Sequence, residues 1–120
     1  MKEYLRKRVA AFGYSFKGLG ELLTNHPHIH VHATASVVVV GLGWWLDVDR
    51  MEWAILALCI GCVWTAEAFN SSIELLTDLV SPDYHPLAGK VKDVASAAVL
   101  LICIAAAVVG ALIFVPYIWQ

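Results

Sequence analysis

At 120 residues, 60% of them hydrophobic and only 15% charged, the chain is too apolar for an ordinary soluble domain, where about a quarter of residues carry charge. It has room for one membrane domain, residues 1–120, and no internal repeat, low-complexity tract or long linker divides it. The formal charge of −2 says little about partners, because opposite signs fall in separate segments, but with only eight basic residues, most of them with a simpler topological role, no nucleic-acid patch is evident.

Residues 1–25 place Lys2, Arg6, Lys7, Arg8 and Lys17 among Tyr4, Leu5, Val9, Phe12, Phe16, Leu19 and Leu23, the pattern of an amphipathic helix lying on a membrane surface. Glycines and polar residues interrupt the stretch, which argues against the continuous apolar core of a cleavable signal peptide. A hydrocarbon core about 30 Å thick needs roughly 17–25 helical residues to cross it, and three runs approach that length. The first, residues 29–46, contains ASVVVVGLGWWL behind a histidine-rich start. An acidic connector, residues 47–52, separates it from the second run, residues 53–69, whose helix is expected to continue into water toward Leu79. In the next connector, residues 79–93, Pro82, Pro86 and Gly89 predict a helix-free loop. The third run, residues 94–119, has no charge and ends on the interfacial residues Pro116, Tyr117 and Trp119. The expected fold is an all-α membrane protein with a surface helix and three transmembrane helices. The positive-inside rule places the basic N-terminus and the 79–93 loop in the cytoplasm, with the 47–52 turn and the C-terminus outside.

At the end of the second run, Glu67, Asn70, Glu74 and Asp78 follow one another at spacings of three, four and four, which aligns them on one helical face. A carboxylate abutting so apolar a segment is costly in lipid, so Glu67 reads as a functional group. The row suits a cation, a proton or a phosphate-bound metal. Glu74 and Asp78 also have a plainer reading as the solvated end of the helix, and Asn70, Ser71 and Ser72 as hydrogen-bonding glue between helices. Lys90, Lys92 and Asp93 open the third helix, where a cation can meet phosphate and Asp93 can equally serve as a helix cap.

Two further patterns are expected to be inert. His26, His28, His30 and His32 form an interfacial cluster more readily than a transition-metal tract, although the pairs His26 with His30 and His28 with His32 share helical faces. Cys59 and Cys62 have redox-like spacing but lie in an apolar run with Leu58 and Ile60, where small buried thiols are expected, as for Cys103. Trp44, Trp45, Trp53 and Trp119 read as interfacial anchors, and Trp64 lies near Glu67.

The run AEAFNSSIELLTDLVSPDYHPLAGKVKDVASAAVLL, with GYSFKGL before the first span and WLDVD after it, resembles the signature of the small prokaryotic diacylglycerol kinase and undecaprenol kinase family. The match covers nearly the whole chain. It implies a trimeric lipid kinase of the bacterial inner membrane that transfers the γ-phosphate of ATP to a lipid alcohol with Mg2+, at sites shared between neighbouring chains. Carried onto this sequence, the resemblance makes Glu67 the general base, Asn70 a site asparagine that holds Glu67 or the substrate by hydrogen bonding, and Glu74 a metal ligand. It makes Lys92 and Asp93 the nucleotide-binding Lys-Asp pair, assigns Asp83, Tyr84 and His85 to the nucleotide pocket, and gives Tyr14 and Lys7 nucleotide contacts. At the position of the family's second metal-binding glutamate this chain has His26, while Glu21 lies nearby out of register; the resemblance implies that His26 ligates or supports the metal beside Glu74, or that Glu74 holds it with phosphate and water alone. GYSFKGL and WLDVD are closer to the diacylglycerol kinases, which implies phosphatidate as product; undecaprenol is the alternative acceptor. A small metal or proton carrier using Glu67 and the histidines is the alternative of a different class.

Overall fold

A computed structural model describes residues 1–120 as four α-helices without strands: α1 (Lys2–Asn25), α2 (His28–Trp45), α3 (Arg50–Val80) and α4 (Pro86–Ile118). α1 buries only Leu22 and leaves Phe12, Phe16 and Val9 exposed among its basic residues, as expected of a helix whose apolar stripe faces something other than its own chain. Pro27 then separates it from α2.

α2 ends in a motif read directly from WLDVD. Asp47 adopts φ 53°, and the Asp47 and Val48 N–H groups donate back to the Trp44 and Gly43 carbonyls at 3.3 and 3.1 Å. These are the paired bonds of a Schellman turn. An aspartate tolerates the left-handed conformation better than most residues, and Val48 beyond it is buried. Asp49 then caps α3, its side chain accepting from the Glu52 N–H at 2.8 Å, a bond that holds the Asp49 carboxyl below the usual carboxylate range.

α2, α3 and α4 run antiparallel to their neighbours, with α3 and α4 forming the most extensive pair. At the Asp49 end, Leu56 packs with Val48, Ile113 and Phe114, and Tyr117 Oη donates to Glu52 Oε1 at 2.8 Å. Gly43 lets α2 approach there: a methyl group at this position would meet Trp53 Cη2 at 2.7 Å. Gly43→Ala is therefore expected to destabilise the fold by about 1–3 kcal/mol through overpacking, read as a lower midpoint of thermal unfolding in detergent. An unchanged midpoint would remove the close approach as a constraint.

The structure carries α3 on as expected and redraws the connector after it. α3 is unbroken over 31 residues, so the apolar run and the polar row share one rigid helix. The expected 79–93 loop shrinks to residues 81–85, because Pro86 sits at the start of α4, where its missing N–H costs nothing. His85 caps that helix through Nδ1, which accepts from the Leu87 N–H at 3.1 Å. Gly89 is thus inside a helix and breaks nothing.

Only 12 of 120 residues are buried, so the molecule, a slab of 54 × 48 × 21 Å, presents most of its apolar surface outward. That suits a lipid environment. Two helices, α3 and α4, are long and apolar enough to cross a membrane. α2 is not among them, since His28, His30 and His32 occupy its first turns; the three expected spans reduce to two on composition alone.

Candidate functional site

The polar row lies on α3 and is largely withdrawn from solvent. Glu67 is 3% exposed, and Asn70 and Ser71 are buried beside it, while Glu74 is half-buried and Asp78 is exposed. A buried carboxylate needs a partner. It comes from α2: His32 Nε2 lies 3.1 Å from Glu67 Oε2. The same pair of helices is tied one step deeper, where Trp64 Nε1 donates to Ser36 Oγ at 2.9 Å and Ser36 Oγ donates to the His32 carbonyl at 2.7 Å.

Asn70 does not bond to Glu67. Its Nδ2 donates to Glu74 Oε1 over a long 3.4 Å, and its Oδ1, like Ser71 Oγ, is buried without a hydrogen-bond partner. An asparagine has capacity for several bonds, and an orphaned buried oxygen beside two carboxylates marks a place where a donor is missing from the isolated chain.

From α4, Lys92 Nζ donates to Asp78 Oδ1 at 2.6 Å, and this bond raises the lysine above its ordinary pKa. Asp78, expected to be only a solvated helix end, thus holds the cation at one end of the row. Asp93 lies well inside α4, which removes the cap reading.

The α1 residues form a second group. His26 Nε2 is 3.9 Å from Glu21 Oε1, and Asn25 Nδ2 donates to Glu21 Oε2 at 2.7 Å. The helix ends at Asn25 and His26 is extended, so the chain brings His26 back beside a glutamate that helical register alone keeps apart. Glu21 and His26 line a cavity of about 360 Å³ together with Ser71 and Ser72 of α3. His26 therefore faces the helix of the row, with Glu21 as its nearest acid.

Four of the expected nucleotide residues stand away from this cluster. Lys7 pairs with Glu3 at 3.3 Å on the exposed face of α1, the Tyr14 ring lies under Lys17 Nζ at 5.9 Å, and Asp83 and Tyr84 are exposed on the connector. His85 is engaged as the α4 cap. No three His, Cys, Asp or Glu side chains converge to enclose a metal ion, so Glu74 and His26 do not form a complete cage within one chain. Cys59, Cys62 and Cys103 are free thiols. What the helices assemble is a withdrawn carboxylate able to take a proton, a half-buried carboxylate able to meet a cation, and an ammonium able to meet phosphate.

The comparisons with known proteins agree with that chemistry. The family model described as prokaryotic diacylglycerol kinase matches residues 13–114. A protein named diacylglycerol kinase from Escherichia coli (strain K12) is 35% identical over 100 residues, covering 83% of this chain and 82% of the relative. One named undecaprenol kinase from Bacillus subtilis (strain 168) is 31% identical over 112 residues, covering 93% and 91%. With the match reaching into all four helices and covering the polar row, the chain belongs to the prokaryotic diacylglycerol kinase family and is a membrane lipid kinase, a phosphotransferase.

Proposed function

We propose that this kinase transfers the γ-phosphate of Mg-ATP to diacylglycerol, giving phosphatidate, with Glu67 as general base. The observation that carries the proposal is the 3% exposed Glu67 carboxylate at the junction of an apolar helix and a polar row ending on Lys92. A lipid alcohol and a water-soluble nucleotide meet at such a junction. Glu67 takes the proton of the lipid hydroxyl as its oxygen attacks the γ-phosphorus. Lys92 leaves Asp78 for the phosphates and neutralises charge in transfer. Asn70 supplies its unpartnered Oδ1 and its Nδ2 to the nucleotide end of the row. Asp93 stands next to Lys92 on α4 and serves the nucleotide end of the row; Tyr14, Lys7, Asp83, Tyr84 and His85, which stand away from the row within one chain, join the nucleotide pocket by the family pattern alone.

The donor set fits magnesium on the Glu74 side. Magnesium commonly takes one or two carboxylates along with substrate phosphates and water, and Glu74 is half-buried, with one oxygen in a long bond to Asn70. When bound, the ion would neutralise phosphate charge and align the γ-phosphoryl group. His26 is a weaker match, since imidazole suits transition metals better than magnesium; beside Glu21 it serves as a partner of that acid at the edge of the site.

The open donor capacity at Asn70 and Ser71 and the outward apolar faces of α2–α4 support a homotrimer in which a neighbouring chain completes each site. α2 is the third membrane span in that assembly, its histidines at the interface, with the N-terminus and the polar row on the cytoplasmic side of the inner membrane. Family membership removes the carrier reading.

Diacylglycerol as acceptor is supported by the GYSFKGL and WLDVD segments and by the 35% identical relative of that name. The undecaprenol kinase relative aligns over more of the chain, which makes undecaprenol the competing acceptor. Purified protein in mixed micelles with Mg-ATP and equal amounts of both lipids is expected to phosphorylate diacylglycerol preferentially. Preferential undecaprenyl phosphate formation would reverse the assignment.

A further inference from the structure

Glu67 is the most withdrawn carboxylate of the chain, and one imidazole holds it. His32 Nε2 and Glu67 Oε2 are 3.1 Å apart, with the His32 side chain 12% exposed and that of Glu67 3% exposed. An ionised carboxylate only accepts hydrogen bonds, so His32 contributes Nε2–H as donor. The imidazole is itself held in place. One turn before it, Ile29 is fully buried, and one turn after it Ser36 links the His32 carbonyl to the Trp64 indole of α3. The stretch of α2 that carries His32 is thus anchored by a buried side chain on one side and tied to α3 on the other.

We propose that His32 is the positioning residue for Glu67. Its Nε2–H holds Oε2 and leaves Oε1 to receive the proton of the lipid alcohol. This rests on the reading of Glu67 as general base. In the step it supports, the proton passes from the lipid hydroxyl to Oε1 and the lipid oxygen bonds the γ-phosphorus. The bond from that phosphorus to the bridging oxygen breaks, and its electron pair leaves with ADP. His32 neither gains nor loses a proton. Its contribution is orientation: a general base without a fixed rotamer spends little time within reach of the hydroxyl, and small misplacements are costly in rate.

The role separates from simple helix-to-helix pinning by its kinetic pattern. Full-length protein in detergent micelles is assayed with short-chain diacylglycerol and Mg-ATP, with far-UV circular dichroism and size exclusion confirming the fold. His32→Ala is expected to lower kcat by on the order of 100-fold while KM for ATP stays unchanged. His32→Gln, which keeps an N–H donor, is expected to recover most of that loss. In a Glu67→Gln background His32→Ala is expected to have no further effect, since the two act as one unit. Should His32→Ala not fold, His32→Met supplies the arm without a donor, because a flexible thioether fills irregular gaps.

Three results would overturn the proposal: full activity without a donor at position 32, Gln as impaired as Ala or Met, or an equal loss in both backgrounds. Full activity of Glu67→Gln is a different failure, since it removes the base assignment itself. Failure of His32 alone shows as an inactive Glu67→Gln beside an unimpaired His32→Ala or His32→Met.

Discussion

Glu67→Gln is expected to lower kcat by roughly 10²- to 10⁴-fold, the range that a positioned general base contributes, with little change in fold. The amide has nearly the shape of the carboxylate, and its carbonyl oxygen still accepts the His32 N–H, so the bond between α2 and α3 at 3.1 Å survives. What disappears is the ability to take a proton. Because Glu67 is only 3% exposed, no bulk water stands ready to replace it. The measurement is turnover of diacylglycerol at saturating Mg-ATP, accompanied by nucleotide binding, which is expected to persist. A rate within a few-fold of the unmodified protein would take Glu67 out of the chemistry, and proton acceptance would then pass to another group or to solvent.

The same substitution shows why some of the site was legible in the sequence and some was not. Spacings along one helix translate into a shared face without any tertiary information, so the row from Glu67 to Asp78 was readable, as was the amphipathic α1. Partners across helices were not. His32 and Glu67 are 35 residues apart, and the histidine lies in a cluster with three others at alternate positions, where spacing alone names no partner for it. Its signal was available only as register: an antiparallel α2 that places Gly43 on Trp53 and Ser36 on Trp64 brings His32 to Glu67. Asn70 shows the limit of helical spacing. One turn from both Glu67 and Glu74, it has two carboxylates in reach by helical geometry, and its amide bonds Glu74.

The connector departs from its composition for a related reason. Proline and glycine count as helix breakers in an interior, yet proline at a first turn is compatible with a helix. The deciding residue was His85, whose side chain satisfies a backbone N–H in a role held more often by Ser, Thr, Asp or Asn. That early start carries Lys92 onto a helical face opposite Asp78.

Lys92→Gln is expected to cost roughly 10²–10³ in kcat, the loss seen when one preorganised donor to a developing anion is removed, and the pairing with Asp78 makes the origin of that loss testable. Both side chains are substantially exposed, at 41% and 63%, so their ion pair adds little to stability and either can be replaced without unfolding the bundle. In the free chain the Asp78 carboxylate accepts from the Lys92 ammonium, raising its pKa, and holds it near the end of the row. Asp78→Asn removes that tether but leaves the cation, so its effect on kcat is expected to be far smaller than that of Lys92→Gln and to show mainly in KM for ATP. If Lys92 served only to pair with Asp78, the two substitutions would instead produce the same phenotype, because breaking an ion pair from either side removes the same contact. Steady-state kinetics of the two single variants and the double variant, with thermal unfolding as control, distinguish the cases: a large loss confined to proteins lacking the ammonium places Lys92 on the phosphates, and equal losses confine it to the helix pair.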